Sequence, residues 1–247
     1  MHAAHPDNLV CTYCQSTPAE ELDHTMPRSW FPDGTSPAEV QRVTVPSCKR
    51  CGAALKKAEE QVALALMMAK GFDRDHPAAV GVFQRVRKTW NAAAAKTPRE
   101  RQHRAKRMMS VIARVQAVVV PPEVAVGSVL VKARTPAGLF VDAALAVKFR
   151  RTDFDSVAEK FVRGLHYHGT KTTMPAGTKF TAFEPDEEST TQAAQLPGGM
   201  VSDGLFYGHI ESEDGDGRAI WFFLLWGQVK IGVLVEPPTA PLSGAAR

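Results

Sequence analysis

The sequence predicts an α+β fold, and three observations carry the prediction. Two Cys-x2-Cys knuckles, Cys11/Cys14 and Cys48/Cys51, stand 33 residues apart near the start of the chain. A stretch rich in helix formers follows them. Beyond Pro121-Pro122 the pattern turns to short β-branched and aromatic runs punctuated by glycine and proline. The 247 residues divide accordingly into a zinc-knuckle module over 1–70, a basic helical connector over 71–120 and a mostly antiparallel α+β domain over 121–247.

Composition narrows the class further. With 44% hydrophobic and 23% charged residues, the chain has enough apolar material for one or two cores, which excludes disorder as the whole answer. The longest apolar run near the C-terminus, Ala219 to Trp226, is far short of the ~20 residues of a membrane-spanning helix. The first residues show no charged segment followed by an apolar one. The expectation is a soluble, cytoplasmic chain without a secretion signal or a membrane partner. Charge is uneven: residues 1–120 hold 18 Lys/Arg against 11 Asp/Glu, and residues 121–247 hold 12 against 15.

Four cysteines are too few to staple a secreted scaffold, and their arrangement in two knuckles points to metal. A two-residue gap lets both sulfurs of a knuckle reach one ion without strain, and four thiolates satisfy tetrahedral zinc with no position left for water. Cys11, Cys14, Cys48 and Cys51 are therefore the expected ligands of a structural zinc.

The elements follow in order. A turn-rich stretch covers 31–37, Val43-Thr44-Val45 reads as a strand, and Ala53 to Lys70, free of Gly and Pro, reads as a helix leaving the second knuckle and ending at Gly71. A second helix is expected over 77–95. A third opens at Thr97-Pro98-Arg99-Glu100, where Thr97 is the N-cap, Pro98 takes the first helical position and Glu100 completes a capping box. Spaced at 100° per residue, Ala105, Met108, Met109, Ile112 and Val115 share one arc and the basic residues the other, which predicts a packing face and a cationic face. Strands are expected over 124–132, 139–149, 179–183, 205–211, 220–226 and 230–235, with a hairpin turn at Asp214-Gly215-Asp216-Gly217, and a helix from Ser156 through Leu165. Residues 184–203 read as a polar, mobile loop.

Between the knuckles stands Glu20-Glu21-Leu22-Asp23-His24-Thr25-Met26-Pro27-Arg28-Ser29. The second knuckle, Val45-Pro46-Ser47-Cys48-Lys49-Arg50-Cys51, runs into Lys56, Glu59 and Glu60. Together these residues resemble the zinc-knuckled form of the HNH endonuclease family, of the ββα-metal fold, over about residues 9–62. The resemblance implies a metal-dependent endonuclease that hydrolyses phosphodiester bonds of DNA. His24 would be the general base, Asp23 would bind a catalytic Mg²⁺ or Mn²⁺, and the zinc would be structural. Hydrolysis needs an activated water and a cation on the phosphate, and those are the two roles assigned.

Two positions depart from the family pattern. Val43 stands where an Asn orients the base, and Gly52 stands where an Asn or His after the last cysteine belongs to the metal site. Either another group, such as Glu59, Glu60 or a residue from the second half of the chain, substitutes, or the fold persists as a catalytically inactive zinc-stabilised module that binds nucleic acid or protein. The candidate phosphate contacts are Arg28, Lys49, Arg50, Lys56, Lys57, Arg99, Arg104, Lys106 and Arg107, since each neutralised phosphate releases counterions. DNA and RNA both remain open as the partner, and residues 121–247 are a candidate surface for a protein partner. His166 and His168 share a face if the chain is extended there, and otherwise mark a helix end near Gly164. Trp221, Phe222, Phe223 and Trp226 are expected in a sheet core.

Overall fold

A computed structural model of the chain describes residues 9–31, 42–67, 72–73, 75–118, 130–147, 150–193, 195–196, 198–202 and 205–238. Helices and antiparallel sheets share the fold, which is α+β. Two compact units emerge, neither continuous in sequence. One comprises Met1–Arg28, Thr35–Glu59 and Thr152–Arg247, the other Ser29–Gly34 and Glu60–Arg151. This grouping cuts across the sequence boundaries at 70 and 120: the knuckles share a unit with the C-terminal sheet.

In the first unit, β1 (Glu21–His24) pairs antiparallel with β2 (Thr44–Ser47), Asp23 opposite Val45, and α1 (Lys49–Met67), which belongs to this unit as far as Glu59, leaves β2 directly. Pro46 is tolerated because the ladder has only two strands, and its carbonyl accepts the Thr12 amide at 2.9 Å, tying the first knuckle to β2. The start of α1 is held from outside. The Glu20 carboxylate accepts the Lys49 amide at 3.1 Å and the Lys49 ammonium at 3.0 Å, placing negative charge at the helix N-terminus. These bonds hold the Glu20 carboxyl below its ordinary range.

The same unit contains a long helix over Arg151–Thr170, here α4, and a five-stranded antiparallel sheet. The strands are β6 (Lys179–Phe183), β7 (Gly198–Ser202), β8 (Leu205–Glu211), β9 (Ala219–Leu225) and β10 (Val229–Glu236), in the order β6-β10-β9-β8-β7. Along β9, Ala219, Trp221, Phe223 and Leu225 are buried while Ile220, Phe222 and Leu224 are half-buried, the alternation of a strand with one packed face. Phe161 of α4 meets Phe223 with ring centroids 5.5 Å apart, so Trp221, Phe223 and Trp226 are core residues as expected, whereas Phe222, expected with them, is half-buried on the other face of the sheet.

Three expectations need correction in this unit. The helix expected from Ser156 begins at Arg151, and Ser156 lies inside it, its hydroxyl donating to the Thr152 carbonyl at 2.7 Å. It also runs through Gly164 to Thr170, so His166 and His168 are helical and do not share a face. Gly164 does not end the helix; a Cβ there would overlap the Thr25 side chain, and the missing side chain lets α4 approach the end of β1. Finally, the segment read as a mobile loop holds a short helix, α5 (Glu187–Ala193), and strand β7. Asp186 caps α5 by accepting the Ser189 amide at 2.7 Å, a signal the acidic composition concealed.

The second unit contains α2 (Pro77–Trp90), α3 (Pro98–Ile112) and a three-stranded antiparallel sheet in the order β3-β5-β4, built from β3 (Val115–Val118), β4 (Leu130–Arg134) and β5 (Phe140–Val147). The sheet spans the boundary that the sequence placed at 120. Thr97 caps α3 as expected, accepting the Glu100 amide at 3.1 Å, while Glu100 reaches back one residue further, to the Lys96 amide at 2.8 Å. The two-faced reading of α3 is overturned. Met108, Met109 and Ile112 are 42, 63 and 50% exposed, and Arg104 turns inward instead, while Arg107 lies part-exposed against Glu60. Arg104 Nη1 donates to the Lys88 and Asn91 carbonyls at the end of α2, satisfying two such orphan acceptors where no apolar residue can. The expected strand residues 124–129 and 148–149, the helix end 68–70 and most of the turn at 31–37 lie outside the described residues.

Candidate functional site

Cys11, Cys14, Cys48 and Cys51 converge. Their sulfurs all lie within 4.8 Å of one another, with Cys11 and Cys48 buried and the other two half-buried. Cys14 Sγ and Cys48 Sγ are 3.9 Å apart, close to the ~3.8 Å edge that tetrahedral geometry with 2.3 Å zinc–sulfur bonds requires. Burial works against the Cys14 thiolate, but hydrogen bonds from the side chain and backbone of Ser16 and from Thr17 outweigh it and bring the thiol down to about 5. Burial pushes the Cys51 thiol up. The cluster is positioned to hold a metal ion.

Each knuckle is shaped locally. Gln15, just past Cys14, takes φ 57°, and its amide donates to the Cys11 carbonyl at 2.9 Å, folding the first knuckle back on itself. The Gly52 amide donates to the Cys48 carbonyl at 3.0 Å in the first turn of α1, which puts Cys48 and Cys51 on adjacent turns.

The acid and base candidates part company. Successive strand residues point to opposite faces, so Asp23 and His24 do not face the same space. Asp23 lies against α1 and α4, where Lys160 Nζ stands 2.7 Å from Asp23 Oδ2 and also pairs with the Glu59 carboxylate. The Tyr13 hydroxyl donates to the same Asp23 oxygen at 2.9 Å, and the ammonium sits 5.9 Å from the centre of the Tyr13 ring. Lys160 is 2% exposed and Glu59 8%. Burial, followed by the Asp23 carboxylate, holds the Tyr13 phenol well above its ordinary range.

The divalent cation that the family resemblance implies has little to bind here. Asp23 is engaged by an ammonium and a phenol. Glu59, two turns along α1 from Gly52, is engaged by the same ammonium. Gly52 offers no donor, and the space its Cβ would need is filled by the Glu21 carboxylate. A dication brought into this pocket would meet a buried ammonium at close range in a medium where like charges repel strongly. The residues present do not fit a Mg²⁺ or Mn²⁺ ion.

His24 is half-buried on the other face of β1. Burial, then the nearby Arg28, lowers its pKa, so the imidazole is neutral at physiological pH. Arg28 itself opens a single 3-10 turn, Arg28–Trp30, shortly after β1 and is solvent-exposed. Of the other candidate phosphate contacts, Lys49 is paired to Glu20, Arg104 to Glu100 at 2.5 Å and Arg107 to Glu60 at 3.2 Å. Arg107 also lines a cavity of about 150 Å³ with Trp30, Glu60 and Trp90. Arg50, Lys56 and Lys57 on α1, and Arg99 and Lys106 on α3, are solvent-exposed. Sequence reasoning missed Lys160 and Tyr13. The signal for Lys160 was its place in Val157-Ala158-Glu159-Lys160-Phe161-Val162, where a lysine on the buried arc of a helix demands a partner.

No helix among the described residues is long and apolar enough to cross a membrane. No protein-family model, curated protein or solved structure matches the chain.

Proposed function

We propose that this chain is a zinc-stabilised nucleic-acid-binding protein whose HNH-like element has lost metal-dependent hydrolysis. The observation that supports this reading is Lys160, buried between Asp23 and Glu59, against the very carboxylate that the resemblance assigns to a divalent cation. The ammonium supplies the positive charge that the two carboxylates need, and it is tethered, so it cannot travel onto a scissile phosphate. Four thiol groups gathered within 4.8 Å suit a closed zinc site, and the reduced thiol cluster suits the cytoplasm.

Nucleic acid is the partner that the exposed cations favour. Arg50, Lys56 and Lys57 form an exposed basic stretch on the first turns of α1, and Arg99 and Lys106 form another on α3. Unlike Arg104 and Arg107, these five face water, where a phosphate can reach them.

The endonuclease reading draws on a different observation: a half-buried, neutral His24 is what a general base requires. Two assays on the zinc-loaded chain separate the readings. In the first, a labelled DNA duplex and a single-stranded RNA of the same length are titrated across a salt series. Lys56→Glu with Lys57→Glu, or Arg99→Glu with Lys106→Glu, should weaken binding across all sequences and reduce the salt slope by about one unit for each phosphate no longer neutralised. In the second, supercoiled plasmid is incubated with Mg²⁺ or Mn²⁺ and is expected to stay intact. Nicking that disappears in His24→Ala would reinstate the nuclease, and binding indifferent to salt would remove nucleic acid as the partner.

A further inference from the structure

Two neighbouring hollows of the second unit have different linings, and one turn of α3 joins them. The first is the cavity of about 150 Å³ lined by residues of α1, α2 and α3 together with Ser29 and Trp30, all of them in that unit. Its walls mix aromatic and charged groups. Trp30, 1% exposed, and the half-buried Trp90 supply indole rings, while Arg107 and Glu60 line it as an ion pair 3.2 Å apart, with the exposed Ser110 beside them. The second is an open groove of about 430 Å³ at the start of α3, lined by Arg99, Gln102, His103 and Lys106, all exposed. Glu100 also lines the groove, but its carboxylate is taken up by Arg104 and the Lys96 amide. Arg107 lies four residues past His103, and Ser110 four past Lys106. Groove and cavity therefore share one side of the helix and stand about one turn, or ~5.4 Å, apart along it.

We infer that the cavity takes one unpaired nucleobase and the groove takes its phosphate, an inference that rests on the nucleic-acid reading above. A space of about 150 Å³ admits a single aromatic ring system and leaves sugar and phosphate outside. Two tryptophans make it a place for stacking, which suits any base because every base has a π-face. The ion pair reads the edge of the ring. Beyond the bond between them, Arg107 keeps further N–H donors and Glu60 a second oxygen, so the wall presents a donor next to an acceptor. The Watson–Crick edge of a base presents the complementary pair, and it is free only when the base is unpaired. Arg107 and Glu60 cancel each other's charge, so the cations of Arg99 and Lys106 one turn away call for an anion joined to the ring. A bare aromatic ligand would fill the cavity and leave those cations idle. A paired duplex would engage the cations through its backbone and leave the cavity empty. A nucleotide with an unpaired base uses both.

Free nucleotides probe the cavity apart from any strand. In indole ¹⁵N–¹H spectra of the full, zinc-loaded chain, with the Trp90 signal assigned through Trp90→Phe, GMP, AMP, CMP and UMP are added in turn. At least one should move the Trp90 signal with saturation in the millimolar range, while Trp221 and Trp226, in the other unit, stay in place. Ribose 5-phosphate, which has no base, should leave Trp90 unmoved. Ser110→Phe fills the cavity from an exposed position and should weaken nucleotide binding about tenfold or more, with circular dichroism confirming that the variant folds. Lys106→Glu should weaken the nucleotide and spare the corresponding nucleoside. No movement up to about 10 mM of any nucleotide, or an equal response to ribose 5-phosphate, overturns the inference. In a second arm, a short single strand and its counterpart with abasic sites are titrated across a salt series. The intact strand should bind about tenfold tighter with the same salt slope. Equal binding of the two strands alongside nucleotide binding assigns the cavity to a free nucleotide. Equal, salt-dependent binding of the strands without nucleotide binding overturns the inference and leaves the nucleic-acid reading standing. If neither strand binds, that reading falls, and the first arm still judges the cavity.

Discussion

The cysteine-knuckle element and the α2–α3 pair both use basic side chains against carboxylates and carbonyls, but they use them at different depth. Lys160 is 2% exposed and reaches two carboxylates from different segments, Asp23 on β1 and Glu59 on α1. Arg104 and Arg107 are partly exposed; each pairs with a single carboxylate, and Arg104 also reaches the end of α2. A buried ion triad tolerates one geometry, because losing any member strands a charge in low dielectric. Partly exposed pairs leave water as an alternative partner and contribute little. The first element is therefore pinned by its polar groups, whereas the second uses them to close helix ends while its apolar face stays open.

Breaking the cysteine cluster should produce the largest effect and show where pinning ends. Chelation, or Cys48→Ser, removes a ligation free energy of about 10–16 kcal/mol, typical of structural zinc at neutral pH. The knuckles share a compact unit with the C-terminal sheet. Loss of metal is therefore expected to destabilise that sheet, seen in the near-ultraviolet signal of Trp221 and Trp226, while α2 and α3 keep their helical signal.

The next largest effect belongs to Lys160. Lys160→Ala leaves Asp23 and Glu59 facing each other without a counter-charge, which should cost about 3–5 kcal/mol in denaturant unfolding. Adding Glu59→Gln to Lys160→Ala should recover part of that loss, because one stranded charge is removed; a double mutant as unstable as the sum of the two single losses would deny the coupling. Thr97→Ala, in the other region, removes one capping acceptor at the exposed start of α3 and should cost about 1 kcal/mol.

The smallest effect is a pH dependence. Burial lowers the pKa of His24, His166 and His168 below their ordinary value of 6.5. The unfolded chain thus takes up protons near 6.5 while the folded chain still resists them. Stability from these groups is fully present above 6.5 and falls as pH drops toward the folded values. Thermal unfolding between pH 7.5 and 5.5 should show this slope, and replacing the three histidines by Gln should flatten it without removing the acid sensitivity of the thiolates.

Much of the architecture was legible in the sequence. The knuckle spacing predicts the sulfur cluster, strands β6 and β8 match their expected bounds, and Thr97-Pro98 marks the start of α3. Local chemistry decides each of these features, through ligand spacing, alternation or a cap. The misses came where a distant partner decides. An arc of Ala105, Met108, Met109 and Ile112 reads as a core face until Arg104 finds two carbonyls at the end of α2, which turns the helix the other way. Lys160 could not be matched to Asp23 and Glu59 by periodicity, since its partners lie 137 and 101 residues away.

Everything proposed for the HNH-like element depends on Lys160 standing in the place of a divalent cation. Electron paramagnetic resonance of Mn²⁺, titrated into the zinc-loaded wild-type chain, probes that substitution without any assay of cleavage. The free Mn²⁺ signal should grow with full amplitude from the first addition, as in buffer, because Asp23 and Glu59 are already neutralised by the ammonium. A wild-type chain that suppresses one equivalent of that signal, and loses the suppression in Asp23→Asn, would show that a cation still binds there and that Lys160 has not replaced it.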